Sequence, residues 1–573
     1  MDYSTAEEKI RRLLLLEMKD KTRWVGELSS SALSTATAVS ALSLANDSLN
    51  KELIGNGLRW LAENQNSDGG WGDTVKSPSN LPTTLLVDTA FALSGESVEY
   101  ITCLKKTEEY ITVKAGKGSE ERIAALHKIY GKDRTFVVPI LVNLALAGKV
   151  DWGKVPFLPF EIAALPFSFY RMIKLPVVSY ALPALIAMGQ IVYNKRNSKN
   201  ILKGLSKNIT FRKLRDIQPE SGGYLEAIPL TAFVVMSVIP VHGRDNSVVK
   251  NGLDFLKRTA RKDGSWAIDS DLSQWLTTQS VQALSVTGKN TLEGLKAAKE
   301  WIMKNQTTSR HKYTDSAPGA WGWSDLSGSV PDADDTSSAL IALHKLGSEG
   351  GAADNGVKWL LDIQNSDGGF PTFCKGWMDL PFDKSAADIT AHCLRALYMW
   401  KEKSSYGKEI EKAITRGRKY LKKTQAEDGS WLPLWFGNHN SPDSSNKIYG
   451  TARVLVMYRD LDLTADSEAK RGMKYMIEAQ NEDGGWGGSE GAPSSFEETA
   501  LSLIGLSGFV NDTDTKTAFY KGADHLTGRI SEGKFDPAPI GLYFQSLWYY
   551  EKLYPLIWGT AAMGEVLNAK AGN

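Results

Sequence analysis

Three carboxylates stand within four residues in the stretch Pro331-Asp-Ala-Asp-Asp-Thr336, and the apolar run Ala339-Leu-Ile-Ala-Leu343 follows at once. Acid is thereby concentrated at the first turn of a helix that should be buried. Local physics tolerates this, because Pro suits a helix entry, Asp can cap it, and the helix dipole favours anions at that end. Three uses are open. Asp332, Asp334 and Asp335 can serve only as caps. Their oxygens also suit magnesium or calcium, although the Gly and distal Glu of a calcium loop are missing. Crowded carboxyls can also hold a proton well above the usual carboxylate range and deliver it to a substrate.

The elements that would position such a cluster repeat along the chain. Gln65-Asn-Ser-Asp-Gly-Gly-Trp71, Gln364-Asn-Ser-Asp-Gly-Gly-Phe370, Gln425-Ala-Glu-Asp-Gly-Ser-Trp431 and Gln480-Asn-Glu-Asp-Gly-Gly-Trp486 share one pattern, with weaker copies at Gln218 to Tyr224 and Lys262 to Trp266. Each strong copy follows a helix-like segment and precedes a second apolar one. Small polar or acidic residues near the starts of these second segments, such as Thr83, Thr336, Asp388 and the pair after Phe496, read as helix entries. Asp-Gly-Gly supplies the turn, since Gly adopts backbone angles that other residues resist. The unit is helix, turn, helix, at spacings that fit helical hairpins with added loops, and an all-helical closed or curved array follows.

A chain of 573 residues exceeds one ordinary core, so two large domains are expected. Lys plus Arg total 67 against 66 for Asp plus Glu, and the net charge of +1 leaves no electrostatic footprint for nucleic acid. Cys103, Cys374 and Cys393 are odd in number and lack CxxC spacing, which argues against a disulfide framework or a zinc ribbon and fits a reducing cytoplasm. The N-terminus carries no secretory pattern, and no uninterrupted apolar run reaches the ~18 residues of a membrane span. The stretch Ile162 to Tyr193 is nevertheless strongly apolar, with only Arg171 and Lys174 charged, and could enter one face of a bilayer without crossing it.

Together the repeats and the acidic stretch resemble the squalene-hopene and oxidosqualene cyclases. The repeated pattern is similar to their QW motif, and Asp332 to Thr336 is similar to the Asp-x-Asp-Asp-Thr of class II terpene cyclases. A protein prenyltransferase β-subunit shares the barrel but would need Asp, Cys and His zinc ligands, and no such set is found. The resemblance implies an all-α fold of two (α/α) barrel domains built from helical-hairpin repeats. Residues 1–30 plus 276–573 would form the catalytic barrel and 31–275 an inserted second one. It also implies an isomerase of the intramolecular lyase type that needs no cofactor or metal. The reaction would be a proton-initiated cyclisation of squalene or a related long polyprene, with Asp334 as the acid and Asp332 and Asp335 flanking it.

Asp388-Ile-Thr-Ala-His392 is similar to the Asp-Val-Thr-Ala-His of squalene-hopene cyclases, so His392 is expected to hydrogen-bond Asp334 and to be oriented by Asp388. By the same resemblance Trp275, Trp323, Phe373, Trp435 and Tyr449 line the acidic end of the cavity, and Tyr543 and Tyr550 add aromatic rings from the final repeat. Ring faces would stabilise a carbocation by cation–π attraction without offering it a nucleophile.

The far end of the cavity departs from the family. Ile228 and Pro229 stand where the family has Gln and Pro, Thr35 and Thr37 replace carboxylates associated with an exit water, and a Trp near Leu175 or Pro176 is missing. The segment between Gln190 and Gln218 is also shorter than the family's. A principal product other than hopene is therefore expected. The acidic motif equally serves bacterial class II cyclases of shorter prenyl diphosphates, and a non-catalytic barrel that binds lipids or peptides is a third reading. Expected partners are the isoprenoid, the inner face of the cell membrane as a peripheral surface, and a second copy in a homodimer.

Overall fold

The computed structural model describes residues 1–131, 134–287, 293–542 and 547–571. Five helices pack side by side in chain order, and the last returns against the first. They are α1 (Ala32–Ala45), α2 (Leu81–Ser94), α3 (Arg134–Leu146), α4 (Val178–Lys195) and α5 (Ile228–His242). Six more close a second ring: α6 (Ser273–Leu284), α7 (Ala333–Lys345), α8 (Ala387–Trp400), α9 (Lys447–Asp460), α10 (Phe496–Leu506) and α11 (Tyr554–Ala571), with α11 meeting α6. Hairpin partners form an outer layer, and the N-terminal helix Tyr3–Leu16 joins it against α11. The fold is thus all-α, two (α/α) barrels, with three short antiparallel strand pairs among the described residues.

Composition sorts the two layers. Inner helices are small or apolar on every side, and in α1 each residue from Ala32 to Leu42 is buried. Outer helices carry one apolar stripe. Gly407–Thr424 buries Ile410, Ala413, Gly417, Tyr420 and Leu421 and leaves its lysines in water, the spacing of a helix with one face on a core. The repeat turns close the hairpins tightly. Gly429 sits at φ +89°, and a Cβ there would lie 2.5 Å from the Arg471 carbonyl oxygen, so no other residue fits.

Two hydrophobic cores result. One joins Ala6 to Trp24 with Trp275 to Val566, and the other gathers Ala32 to Trp266 with Tyr313, Val330, Cys374 and Leu547. The barrels face each other through the N-terminal ends of their inner helices. Tyr180, at the start of α4, packs its ring 5.2 Å from Phe373, and its carbonyl accepts from Tyr313 Oη at 2.8 Å. Glu226, ahead of α5, accepts from the Gly328 N–H at 2.7 Å, and Asp73, ahead of α2, accepts from the Trp548 N–H at 2.8 Å.

No helix among the described residues is long and apolar enough to cross a membrane. The apolar stretch from Ile162 to Tyr193 divides in two. Most of α4 is core, with Leu182, Ile186 and Ile191 fully buried, so this half is not available to a bilayer. Exposed apolar surface comes instead from Ile162, Leu165 and Met172, and it continues onto helix Ile201–Asp216 through Ile201, Leu202, Leu205 and Ile209.

Candidate active site

A threonine fixes the register of almost every inner helix. The backbone N–H of each repeat aromatic donates to a Thr hydroxyl on an inner helix: Trp321 to Thr336 at 3.1 Å, Phe370 to Thr390 at 2.9 Å, Trp431 to Thr451 at 3.0 Å and Trp486 to Thr499 at 3.0 Å. The indole N–H reaches back to the preceding outer helix, as from Trp431 to Leu421 O at 2.8 Å. The repeat Gln ties turn to next hairpin, as Gln425 Nε2 does to Gly429 O at 2.8 Å and Glu468 O at 2.9 Å. A residue two positions before the pinned Thr lies about 200° around the helix and so turns away from the outer layer. Those positions hold Trp275, Asp334, Asp388, Tyr449 and Glu497 in the second ring, and Leu33, Pro82 and Pro229 in the first.

The three aspartates divide the work. Asp332 is the N-cap of α7 and accepts from the Asp335 N–H at 2.8 Å, so capping falls to one residue of the motif and leaves Asp334 free of it. Burial, then the charge of neighbouring aspartates, pushes the Asp332 carboxyl up to about 7 and that of Asp335 well above the usual range. This pair keeps a proton at neutral pH. Asp334, two residues after the one and next to the other, retains 17% side-chain exposure while the His392 side chain has none, and its carboxyl therefore reaches open space. Its Oδ1 lies 2.5 Å from His392 Nδ1. Among the described residues no three His, Cys, Asp or Glu side chains converge as a metal cage.

Asp388 does not orient His392 as expected. It occupies the first turn of α8, where backbone N–H groups compete for its oxygens, and no hydrogen bond joins it to the imidazole one turn later. Its Oδ1 is buried without a partner, and burial followed by the charge of Asp334 raises its carboxyl to about 7. The group that meets His392 is Arg453 of α9, whose Nη2 lies 3.1 Å from Nδ1. Sequence reasoning missed Arg453. The available signal was its place four residues after Tyr449, on the same helix face, in a helix that is otherwise buried from Ile448 to Ala452 and Val454 to Tyr458.

Burial, reinforced by Arg453, lowers His392 to about 4. For Asp334, burial favours the neutral acid, and the charges of His392 and Arg453 together pull it below the usual carboxylate range. An imidazole that is neutral above about pH 4 exerts no cationic pull, so at neutral pH the charge acting on Asp334 is that of Arg453, and burial opposes it.

Aromatic rings gather in two groups, one at the imidazole and one around Phe373. Trp275 stands edge-on to His392 at 6.2 Å, and Phe373 packs against Trp323 at 6.4 Å and Trp435 at 5.7 Å. Trp435 donates its indole N–H to Thr372 Oγ1, and Tyr449 lies 6.3 Å from Trp558. Phe382, which sequence reasoning passed over, closes the group at 5.5 Å from Phe373 and 6.0 Å from Trp435. Ile228 and Pro229 open α5 as buried residues, with the Ile228 N–H on Ile268 O.

One expectation for the last repeat and one for the first change. Tyr543 lies outside the described residues. The Tyr550 ring lies beneath Lys76 at 4.7 Å, and its backbone pairs with Ser29. The neighbouring Tyr549 instead faces the group that includes Tyr554 and Tyr449, because adjacent residues of an extended strand point to opposite sides. Thr35 is one of the pins, accepting from the Trp266 N–H at 3.0 Å and donating to Ser31 O at 2.7 Å, so its proton is committed to the fold and a single lone pair is left for a water.

Comparison with known proteins agrees with this architecture. The descriptions "Squalene-hopene cyclase N-terminal domain" and "Squalene-hopene cyclase C-terminal domain" match residues 8–224 and 272–519. The chain belongs to the squalene-hopene cyclase-like class II terpene cyclases. It is 24% identical over 546 residues to a probable squalene–hopene cyclase of Sinorhizobium fredii, covering 79% of each chain. It is 23% identical over 624 residues to the squalene–hopene cyclase of Bradyrhizobium diazoefficiens, covering 92% of this chain and 89% of that one. Among solved structures, ent-copalyl diphosphate synthase from Streptomyces platensis shares the fold with a TM-score of 0.63 and 16% identity, over 99% of this chain and all of the other.

Proposed function

We propose that this protein protonates a terminal alkene of squalene or a related long polyprene and folds the resulting cation into rings. The observation that carries the reading is the Asp334 carboxyl, open on one side, 2.5 Å from a buried imidazole on the other, and flanked by two carboxyls that resist ionisation. An alkene is a very weak base, so its acid must arrive protonated and its anion must be stabilised as the proton leaves. The Asp334 O–H bond breaks as the π electrons form a new C–H bond, and the cation moves inward along the chain. The rings of Trp275, Trp323, Phe373, Trp435 and Tyr449 stabilise positive charge on carbon and exclude water, and prefolding of the polyene lowers the entropic part of the barrier. Residues 1–30 plus 276–573 act as the catalytic barrel and 31–275 as its lid and second wall, a division supported by the two separate cores.

At the far end Ile228 is apolar and the Thr35 hydroxyl is engaged, so the last cation meets a weak base there. The principal product is a triterpenoid other than hopene. Incubation with squalene, a partly cyclised C35 polyprene and geranylgeranyl diphosphate, with products identified by mass spectrometry, tests substrate and product together. Asp334→Asn should lower turnover at least about 10⁴-fold with the helical circular dichroism unchanged. Turnover near the parent's would sink the assignment.

The apolar face of helix Ile201–Asp216, with Lys199, Lys207 and Arg212 around it, supports peripheral attachment to a bilayer that holds the insoluble substrate. The protein should float with anionic liposomes, and Leu202→Glu with Leu205→Glu should leave it in the soluble fraction. A parent protein that stays soluble at both low and high salt would reject this attachment.

A further inference from the structure

We infer that Arg453 is a positioning residue that keeps the acidic proton on Asp334 by donating a hydrogen bond to His392 Nδ1. A guanidinium has N–H donors and no acceptor. Arg453 Nη2 directs a hydrogen at Nδ1 from 3.1 Å, so that nitrogen presents its lone pair. Asp334 Oδ1 approaches the same nitrogen to 2.5 Å. A carboxylate oxygen and a bare ring nitrogen repel at that distance, so the contact requires a proton, and the proton belongs to Asp334. The imidazole proton is left on Nε2. A proton on Nδ1 would instead set N–H against N–H at Arg453.

The charge of Arg453 is free to act this way. Arg395 of α8 and Arg459 of α9 are neutralised by Asp460, with Arg395 Nε at 2.8 Å and Arg459 Nη2 at 2.8 Å, and Arg459 also reaches Glu565 at 2.8 Å. Among the described residues Arg453 forms no ion pair, and its guanidinium lies 5.9 Å from the Tyr449 ring centre. A lone guanidinium in a protein interior is costly, and packing alone does not call for one at this position. The remaining groups around the pair are Asp332, Asp335, Asp388, Cys393, Arg395 and Tyr449. The carboxyls among them face Asp334 and favour its neutral form. Arg453 lies against the imidazole and makes no ion pair with Asp334, so its charge opposes a cation on His392 more than it favours an anion on Asp334, and its N–H shares the Nδ1 lone pair with the Asp334 O–H.

The inference rests on Asp334 being the acid, and its first test needs no turnover. Nitrogen NMR of the full chain carrying ¹⁵N-histidine, with His392 assigned by its loss in His392→Gln, reads the tautomer at pH 7. The expected signature is an unprotonated Nδ1 and a protonated Nε2. In Arg453→Met the proton should move to Nδ1 and turnover should fall about 100-fold, whereas Arg453→Gln, whose amide can still donate without charge, should keep the parent tautomer and lose about tenfold. A protonated Nδ1 in the parent protein would overturn the inference, as would the parent tautomer persisting in Arg453→Met. Turnover that survives Asp334→Asn would remove the acid reading and leave the tautomer to stand or fall by its own spectrum.

Discussion

Helices α7 and α1 begin in the same way and end up with different jobs. Each has an N-cap that accepts from the backbone N–H three residues on, Asp332 in one and Ser31 in the other, and each pins a buried Trp through a Thr hydroxyl, Thr336 on Trp321 and Thr35 on Trp266. Two positions before the pin, α7 has Asp334 and α1 has Leu33. The acid end therefore concentrates titratable groups on a frame that the opposite barrel uses for packing. Chemistry in this fold is a matter of which side chain occupies one recurrent position, since the hydrogen bonds that hold the position are shared.

The sharpest way to break this comparison is to remove both pins. Thr336→Val should displace Asp334 from His392 and lower turnover about 10- to 100-fold, because small errors in the placement of a reacting group are costly. Thr35→Val should lose one buried hydrogen bond, about 1 to 2 kcal/mol in a denaturant titration, with turnover within twofold of the parent. Equal losses of turnover would show that the far barrel places reacting groups too.

A smaller effect concerns pH. Asp332 and Asp388 both sit near 7, and ionisation of either sets negative charge beside Asp334, which disfavours its anion and makes it a weaker proton donor. These groups are protonated below that range and ionised above it. Turnover should therefore be full on the acid side and fall as pH rises through about 7, by up to about tenfold per unit. A rate that climbs across the same range would mean that a base, not an acid, limits the reaction. The smallest expected change is Ile228→Gln at the far end, which should shift the ratio of products while turnover on squalene stays within about threefold, since a polar group there acts on cations formed late. An unaltered product ratio would show that termination happens elsewhere in the cavity.

The helical hairpins were legible because the turn chemistry of Gln-x-x-Asp-Gly-Gly is local, and the pairing of Asp334 with His392 was legible because both lie in short motifs. Other parts depend on contacts that no local pattern records. Gln306 belongs to a further repeat, donating to Gly319 O and Ala352 O at 2.7 Å, but an insertion before Gly319 stretches the motif beyond recognition. Arg453 becomes visible only when α8 and α9 lie side by side. Tyr180 reaches Phe373 from the other barrel. The exchange of Tyr550 for Tyr549 reflects a register of one residue in a two-stranded ribbon, and a slip of one reverses every side chain.

The threonine pins also bear on how such an enzyme can diversify. Trp275, Tyr449 and Pro229 each stand two residues from a hydroxyl that holds the fold, and none of them supplies that hydroxyl. Mutational tolerance and catalytic novelty can therefore be drawn from the same few sites, one per hairpin, with the cost to folding limited to how well a new side chain fits. Glu497 already illustrates such a change. It is a fully buried carboxyl with one unpartnered oxygen, set on α10 at the register that Asp334 holds on α7.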